Sequence, residues 1–253
     1  MNHSKKLFRN RITTKCILAF FFILNTAYIS SQTSSNDRDY YNWFDSKLGL
    51  ENTGLHNGII YEEIYKTIDG NHKFYLTSQF TKGSIIYDGQ AYFDVEMKYD
   101  IYEDVLIVKL PSHSAYYIIK LINDKINRFS INNHQFIKKS ERNEEFFNET
   151  ISGFYEIYFQ SEHISLFKKH KKSRKERIGE SFVYNEFKDD SEYIVSYKNH
   201  YYKISSKKDL KTLFPKLKKN INNFYKSNKR LFKSDNDSFM IQLIKHVNSL
   251  IIK

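Results

Sequence analysis

Residues 83–110 constrain the fold of this chain more than any other stretch, because they predict three consecutive antiparallel strands. Asp88 and Gly89 form a tight turn, since glycine accepts the positive φ that a two-residue hairpin turn requires. Apolar and polar residues then alternate over residues 90–100, which predicts a strand with one buried and one solvated face. Residues 105–110 are apolar on both faces, as in a central strand.

The alternation assigns the two faces of the strand over residues 90–100. The predicted core face carries Ala91, Phe93, Val95, Met97 and Tyr99. The predicted solvated face carries Gln90, Tyr92, Asp94, Glu96, Lys98 and Asp100. We therefore expect Phe93 and Val95 to be buried and Asp94 to point toward solvent.

Short strand patterns separated by turn residues recur over residues 55–205. Beyond residues 83–110, they cover residues 59–68, 73–77, 115–122, 125–131, 134–138, 154–160, 163–167, 181–187, 193–197 and 201–204. No crossover helix separates them, so the pattern favours an antiparallel β meander, either a sandwich or an open barrel. The 20 tyrosines and 21 phenylalanines suit the half-buried surface of a sheet. Residues 140–148 are charged and polar and predict an insertion or one helical turn.

The apolar period changes from strand-like to helical at Ser206. Ser206 and Asp209 resemble a capping box, and the residues around Asp235 form a second helix-capping cluster. Apolar residues recur at helical spacing after each cap, although Pro215 should kink the first helix. Residues 206–253 therefore predict a pair of amphipathic helices packed on the β domain of residues 55–205, and the fold class is α+β.

Residues 1–31 have the pattern of a secretory signal peptide. Basic residues precede an apolar core over residues 16–24, which is too short to span a bilayer as a helix. Small residues at Ser30 and Ser31 suit signal peptidase. Cys16, the only cysteine, lies before this core instead of after it, so lipidation is not expected. The mature chain would then have no disulfide and no transmembrane segment, which fits a bacterial envelope.

Residues 32–54 form a polar lead and an aromatic segment. The aromatic run at residues 40–44 contains the only tryptophan. We expect this run to close one end of the core, and the alternative is an exposed platform that stacks a ligand.

The net charge is high but unevenly distributed. Removing the five basic residues of the signal peptide lowers it from +11 to +6, so nucleic acid is not an expected partner of the exported chain. The densest charge lies in the basic segment, residues 168–177, which reads as a loop at a hairpin tip. We expect it either to bind anionic lipid, lipopolysaccharide or acidic glycan, or to be a solvated turn. Its charged residues are Lys168, Lys169, Lys171, Lys172, Arg174, Lys175 and Arg177.

The sequence predicts no catalytic, cofactor-binding or metal-binding residue. The nine histidines are scattered, and no phosphate-binding loop or hydrolase motif is present. Asp94 and Glu96 share a predicted strand face, so paired-carboxylate chemistry is geometrically feasible there, but a solvated face is the ordinary interpretation. The cluster around Asp235 reads as a helix cap, since the glycine and the distal glutamate of a calcium loop are missing.

Several short motifs resemble an uncharacterised family of exported proteins from Bacteroidota. They lie at residues 55–58 (LHNG), 87–92 (YDGQAY), 98–104 (KYDIYED) and 209–215 (DLKTLFP), and the signal peptide ending at Ser31 is similar too. The resemblance implies the periplasm or the outer-membrane or cell surface of a Gram-negative bacterium. It supplies no activity and no site residues.

These features predict a non-enzymatic accessory protein that binds an envelope protein, an anionic lipid or a glycan. The alternatives are a hydrolase that acts on envelope glycan or lipid in a cleft of the sheet, and a carrier of a small apolar ligand. Converging carboxylates or a pair of histidines in a pocket would favour the enzyme. An empty apolar cavity would favour the carrier, and a flat aromatic or basic face the binding protein.

Overall fold

The computed structural model describes residues 35–49, 52–68, 70–112, 115–143 and 149–252. The predicted signal peptide and residues 144–148 of the predicted insertion lie outside this range. The chain divides into two compact units, Met1–Tyr40 and Tyr41–Lys253. The described residues of the first unit are the beginning of helix α1 (Ser35–Leu48).

The second unit is built on one antiparallel sheet of 11 strands, which confirms the predicted α+β class. Its strands, in chain order, are β1 (Gly58–Ile60), β2 (Thr81–Tyr87), β3 (Gln90–Asp100), β4 (Val105–Pro111), β5 (Tyr116–Leu121), β6 (Ile126–Ile131), β7 (His134–Asn143), β8 (Glu149–Gln160), β9 (Ile164–Lys169), β12 (Glu192–Tyr197) and β13 (His200–Ile204). A separate ribbon pairs β10 (Lys172–Ile178) with β11 (Val183–Asp189).

The strand order in the sheet is β1-β5-β4-β3-β2-β6-β7-β8-β9-β12-β13. Most neighbours are therefore consecutive in the chain, as a meander requires. The order runs from β1 at one edge to β13 at the other, so the sheet is open and is not closed into a barrel. The β10–β11 ribbon is inserted between two neighbours in the sheet, β9 and β12.

A bulge bends β3, the strand for which the alternation was clearest. The register of the β2–β3 pairing shifts between Gly83 and Ile85, and Asp94 takes a positive φ of 57°. Beyond the shift the buried positions are Val95, Met97 and Tyr99, but before it the buried residue is Tyr92. The expectation for Val95 is confirmed, whereas the expectation that Phe93 is buried is wrong.

The bulge turns Phe93 and Asp94 out of the core toward helix α1. The ring of Phe93 lies 5.9 Å from that of Tyr41, and Asn42 Nδ2 donates a hydrogen bond to Asp94 Oδ2 at 2.9 Å. A bulged strand bends more sharply than a regular one. The bend allows the turns at the two ends of β3 to approach a single short connection.

That connection is the 3₁₀ turn Asn123–Lys125, which joins β5 to β6. The Asp88 N–H, after β2, donates to the Lys125 carbonyl at 2.7 Å, and Asn123 Nδ2 donates to the Asp104 carbonyl, after β3, at 2.9 Å. An unbent strand of this length would separate those two turns by about 35 Å. The sheet is therefore rolled around a core of aromatic and aliphatic side chains.

Two predicted strands are wrong. Of residues 59–68, regular pairing is confined to β1, and of residues 73–77 only Phe74 forms an isolated bridge, to Asp100. The intervening segment is held instead by buried side chains, among them Lys73 and Tyr75. In the predicted insertion, residues 140–143 continue β7, so that part is strand, and β8 begins at Glu149, after the insertion ends.

Four helices follow the sheet instead of two. They are α2 (Lys207–Leu213), α3 (Lys218–Ser227), α4 (Lys229–Ser234) and α5 (Asn236–Ile251). The predicted capping box is present, since the Ser206 side chain accepts from the Asp209 N–H and the Asp209 side chain accepts from the Ser206 N–H. Pro215 begins a 3₁₀ turn between α2 and α3, as its missing N–H and fixed φ dictate.

The core falls into two large parts. The first lies inside the rolled sheet, between β2 and β8, and is dominated by aromatic rings such as Tyr99, Phe129 and Phe136. The second lies between β9, β12 and the helices and includes Leu166, Val195 and the buried face of α5. The helices therefore cover one end of the sheet, as predicted.

The predicted aromatic plug is not buried. Trp43 and Phe44 lie on helix α1 with 57% and 40% of their surface exposed. A helix presents neighbouring residues to different sides, so a run of consecutive aromatic residues cannot all face one core. Among the described residues, no helix has the length and apolar character needed to cross a membrane.

Candidate active-site cleft

A buried glutamate on β8 is the centre of the candidate site. Phe154, Glu156 and Tyr158 alternate along β8 on one face, and Glu156 is only 3% exposed. It is paired across the sheet with Phe136 on β7 and with Lys168 on β9. An acidic residue at an inward position must be hydrogen-bonded there, because an unpaired buried carboxylate is very costly.

Two histidines and a tyrosine satisfy the Glu156 carboxylate. His134 at the start of β7 contacts Oε1 through Nδ1. His170, after β9, contacts Oε2 through Nε2 at 2.6 Å, and the Tyr75 hydroxyl donates to the same oxygen at 3.1 Å. The ring of Tyr75 also packs edge-on against both imidazoles, at 5.7 and 4.7 Å.

The hydrogen bonds fix which imidazole nitrogen carries the proton. A neutral imidazole that faces an ionised carboxylate places its N–H there, so Glu156 selects the Nδ1–H tautomer of His134. Nε2 of His134 then keeps its lone pair, and it has no hydrogen-bond partner among the described residues. His134 is 42% exposed, whereas His170 is nearly buried.

The electrostatics keep Glu156 ionised. Burial raises its pKa, but the hydrogen bonds from His170 and His134 lower the pKa by more, so its pKa lies below its usual value. Burial and the Glu156 charge raise the pKa of Tyr75, which therefore remains a hydroxyl donor. A buried carboxylate that holds an imidazole in one tautomer is the positioning element of many general-base catalysts.

A second carboxylate, Asp237 in the first turn of α5, lies beside this group. It accepts from Lys168 Nζ at 2.8 and 2.9 Å and also from the Tyr193 hydroxyl. Burial raises the pKa of Asp237, but Lys168, Tyr193 and Tyr158 lower the pKa by more, so it too stays charged. The contact links helix α5 to β9 and fixes Lys168.

The two groups line one cleft of about 420 Å³. Its apolar lining, here called the apolar wall, consists of Phe74, Tyr75, Leu76 and Ile101. Its polar lining consists of His72, His134, Tyr158, Lys168, His170, Lys172, Asp189 and Asp237. The cleft therefore suits a ligand that joins an apolar part to an anionic group.

Lys172 is the cation of this cleft that faces no carboxylate. Its Nζ donates to the His72 carbonyl and, at 3.5 Å, to the Phe74 carbonyl. No acidic side chain of the described residues comes within ion-pairing distance of it. Burial lowers the pKa of Lys172. His72 accepts from the Phe74 N–H at Nδ1, and burial and Lys172 lower the pKa of His72, which favours its neutral form.

The predicted basic segment is not a loop. Its first residues end β9 and most of the rest form β10, and four of its cations have carboxylate partners. Lys168 pairs with Asp237, Lys169 with Asp104 at 2.5 Å, Lys171 with Glu192 at 2.6 Å, and Arg177 with Glu186 at 2.7 Å. Lys172 contacts the two carbonyls described above. Arg174, which is hydrogen-bonded to Asn185, and Lys175 are exposed. Binding of an anionic surface by this segment stays a prediction.

The predicted acidic group does not converge. Asp94 contacts Asn42, Glu96 pairs with Lys109 at 3.4 Å, and Asp104 pairs with Lys169. Asp100 and Glu103 surround Lys73, in a cluster described below. Within the described ranges, no three histidine, cysteine or acidic side chains are arranged to hold a metal ion. Asp235 caps helix α5 by accepting from the Ser238 N–H, as expected.

Sequence reasoning missed Glu156, His134 and His170 as a group. One signal was available, because Glu156 interrupts the inward-facing residues of a strand otherwise occupied by aromatic rings. The sequence around its two histidine partners contains no comparable break in pattern. Comparisons of the chain with known protein families, with curated proteins and with solved structures found no match.

Proposed function

We propose that this protein is a hydrolase that cleaves a carboxylic ester bond in the cleft. The main observation behind this proposal is the buried carboxylate of Glu156. It holds His134 in the tautomer whose Nε2 keeps its lone pair, and His134 lines the cleft. This arrangement favours the enzymatic alternative over the non-enzymatic binding protein that the sequence predicts. The apolar wall and Lys172 support a substrate with an apolar part and an anionic group.

In the proposed reaction His134 acts as a general base. Its Nε2 takes a proton from a water molecule whose oxygen attacks the ester carbonyl, and a tetrahedral intermediate forms. The carbon–oxygen bond to the alcohol then breaks, and His134 returns the proton to the leaving oxygen. Glu156 is a positioning residue, since it holds Nδ1–H and stabilises the imidazolium that exists between the two proton transfers.

Lys172 has the role of an anchor in this proposal. Its charge faces two carbonyl oxygens, so no protein carboxylate competes with a bound anion. The predicted export would give the protein access to acylated lipids and glycans of the envelope. We therefore propose an acyl ester of an anionic envelope lipid or glycan as the substrate class.

The test uses chromogenic acyl esters that carry a carboxylate or a phosphate, assayed with the chain lacking residues 1–31. We expect turnover that falls by about 10²- to 10⁴-fold in the His134→Asn variant, the range that a general base supplies. His163→Asn, at an exposed histidine before β9, is the matched control and should keep full activity. Glu156→Gln should lower kcat more than it raises KM and should shift the pH profile.

The non-enzymatic alternative predicts a different result. A binding protein would retain the same esters in calorimetric titration without releasing product, and Lys172→Met would weaken that retention. Turnover that is equal in wild type and His134→Asn would contradict the proposed catalytic site.

A further inference from the structure

A second buried cluster lies where the irregular segment before β2 crosses the end of β3. The backbones there are held by hydrogen bonds from the Ile101 N–H to the Lys73 carbonyl at 3.1 Å and from the Tyr75 N–H to the Tyr99 carbonyl at 2.8 Å. These contacts fix the Lys73 side chain over Asp100. Lys73 is 2% exposed and Asp100 is fully buried.

The contact between the two side chains is a close ion pair with poor hydrogen-bond geometry. Lys73 Nζ lies 2.8 Å from Asp100 Oδ2, yet the angles are not those of a hydrogen bond, and neither atom has another hydrogen-bond partner among the described residues. An orphaned buried pair of this kind is rare in folded proteins. The amine therefore lies against the carboxyl group as a buried ion pair, close enough for the two groups to react.

The other carboxyl oxygen of Asp100 is bound as a reacting oxygen would be. Oδ1 accepts two backbone hydrogen bonds, from the Tyr102 and Glu103 N–H groups, at 3.0 Å each. Paired backbone donors on one oxygen are the arrangement that stabilises the negative charge of a tetrahedral intermediate in acyl transfer. Here they belong to the turn after β3.

We propose that Lys73 and Asp100 condense to an intramolecular amide, an isopeptide bond that links the segment before β2 to the end of β3. The Lys73 amine attacks Cγ of Asp100, and a carbon–nitrogen bond forms while charge builds on Oδ1. The bond from Cγ to Oδ2 then breaks, and Oδ2 leaves as water. From the ionised pair, the ammonium supplies both protons of that water and the carboxylate supplies its oxygen, so no oxidant or co-reactant is needed.

Two glutamates can carry the protons. Glu63 Oε1 and Glu103 Oε1 lie 3.4 and 3.5 Å from Lys73 Nζ. Burial lowers the pKa of Lys73, but Asp100, Glu63 and Glu103 raise the pKa by more, so a carboxylate must first remove a proton from the ammonium. Burial raises the pKa of Asp100 by more than its partners lower it, which favours the neutral carboxyl form that an amine attacks.

The surroundings exclude water from the reacting atoms. The rings of Tyr65, Tyr61 and Phe74 lie 4.6, 5.4 and 5.8 Å from Lys73 Nζ. Water expelled by the condensation has little access for the reverse reaction. Burial among aromatic rings also weakens the solvation of both charges, which brings the neutral, reactive forms closer in free energy.

The structure contains an internal control. Lys169 and Asp104 are also close, at 2.5 Å, but their contact has hydrogen-bond geometry, and Asp104 is partly exposed and accepts from the Tyr99 hydroxyl instead of a pair of backbone N–H groups. We expect this pair to remain an ion pair. Comparing the two pairs therefore tests whether closeness alone is enough for condensation or whether the surroundings of Lys73 and Asp100 are also needed.

The test is mass spectrometry of the purified chain under denaturing conditions. The expected intact mass is lower than that of the sequence by one water molecule, and proteolysis should yield a branched peptide that joins Lys73 to Asp100. Lys73→Arg and Asp100→Ala should restore the full mass, whereas Lys169→Arg should keep the deficit. In Glu103→Gln, the mass deficit should appear more slowly after a freshly synthesised, unreacted chain is allowed to fold.

A wild-type mass equal to that of the sequence, with Lys73 and Asp100 recovered in unbranched peptides, would overturn the proposal. So would a deficit that persists in Lys73→Arg. Because the wild-type measurement is made on unfolded protein, it decides the question even if a variant does not fold.

Discussion

Glu156 and Asp100 are two carboxylates that are buried to a similar depth, at 3% and 0% exposure, but they meet opposite kinds of partner. Glu156 receives hydrogen bonds from two imidazoles and a hydroxyl, and one of those imidazoles reaches the cleft. Asp100 faces an amine that lies among aromatic rings, and the two groups form a close ion pair with poor hydrogen-bond geometry. Depth of burial therefore does not determine what a carboxylate can do; the partner does.

The difference is one of reversibility. An imidazole can take up and return a proton without moving, so a carboxylate that orients it can serve repeated cycles. A buried primary amine beside a carboxyl group can instead form an amide, and that product is permanent. The first arrangement suits catalytic turnover and the second suits a covalent link. Four variants test this difference between the two carboxylates and its limits.

The largest effect on stability is expected for Asp100→Ala. Removing one partner of a buried ion pair typically costs about 3–5 kcal/mol, since the charge that remains loses its nearest partner. The variant also loses the two backbone hydrogen bonds to Oδ1. Urea unfolding measures this cost, and Glu96→Ala on the same strand, with an exposed ion pair to Lys109, should cost under about 1 kcal/mol. Equal losses in the two variants would contradict the cluster as described.

Glu156→Gln should have the next largest effect, and the effect should depend on pH. Hydrogen bonds to a charged group contribute about 1.5–3 kcal/mol, so a loss of that size is expected at neutral pH. The pKa of Glu156 is lowered in the folded state. Its contribution is therefore present above the unfolded value of about 4.3 and is lost as pH falls through the lower folded value.

Unfolding free energies measured at a series of pH values check this sign. The gap between wild type and Glu156→Gln should narrow below about pH 4, because only the wild type then loses an ionised carboxylate. A gap that widens on acidification would mean that Glu156 is protonated in the folded protein at neutral pH.

Tyr75→Phe should cost less, about 1 kcal/mol, the usual net value of one hydrogen bond. The variant removes the hydroxyl that donates to Glu156 Oε2 but leaves both imidazole contacts and the aromatic packing. Activity toward esters should persist, since the His134 tautomer is unchanged. A loss of activity as large as that of His134→Asn would assign the hydroxyl itself to the reaction.

The smallest effect on stability is expected for the exposed cations of the basic segment. Arg174→Gln with Lys175→Gln should change the free energy of unfolding by less than about 0.5 kcal/mol, as surface substitutions do. If the segment binds anionic vesicles, that binding should weaken in the variant and should fall as salt shortens the Debye length to about 8 Å. If the wild-type protein does not bind such vesicles even at low salt, the segment has only a structural role.

Local patterns could be predicted from the sequence because they depend on neighbours. The bounds of β3, the Ser206 capping box and the Asp235 cap follow from alternation and side-chain reach, and the structure confirms them. The bulge at Asp94 could not be predicted, because an uninterrupted alternation gives no sign of an extra residue. It moved Phe93 out of the core and Tyr92 into it.

Contacts between residues that are distant in the chain could not be predicted from local sequence patterns. Lys168, Lys169 and Lys171 read as a solvated run, but their carboxylate partners lie as far away as Asp104 and Asp237 in the chain. His134, Glu156 and His170 likewise come from three successive parts of the meander. The antiparallel pairing of β7, β8 and β9 brings them to one cleft, and no spacing in the sequence encodes that register.

The pairing of β2 with β6 has a consequence for the speed of folding. Seven of the ten neighbouring pairs in the sheet join strands that are consecutive in the chain and can form locally, whereas β2 and β6 meet only after strands β3–β5 have been enclosed. Pairing two strands that are distant in the chain is slower than pairing consecutive strands, because the residues between them form a larger loop whose closure costs more entropy. Substitutions at this seam, such as Ile85→Val or Phe129→Leu, should therefore slow refolding, while those in the outer hairpins should chiefly hasten unfolding.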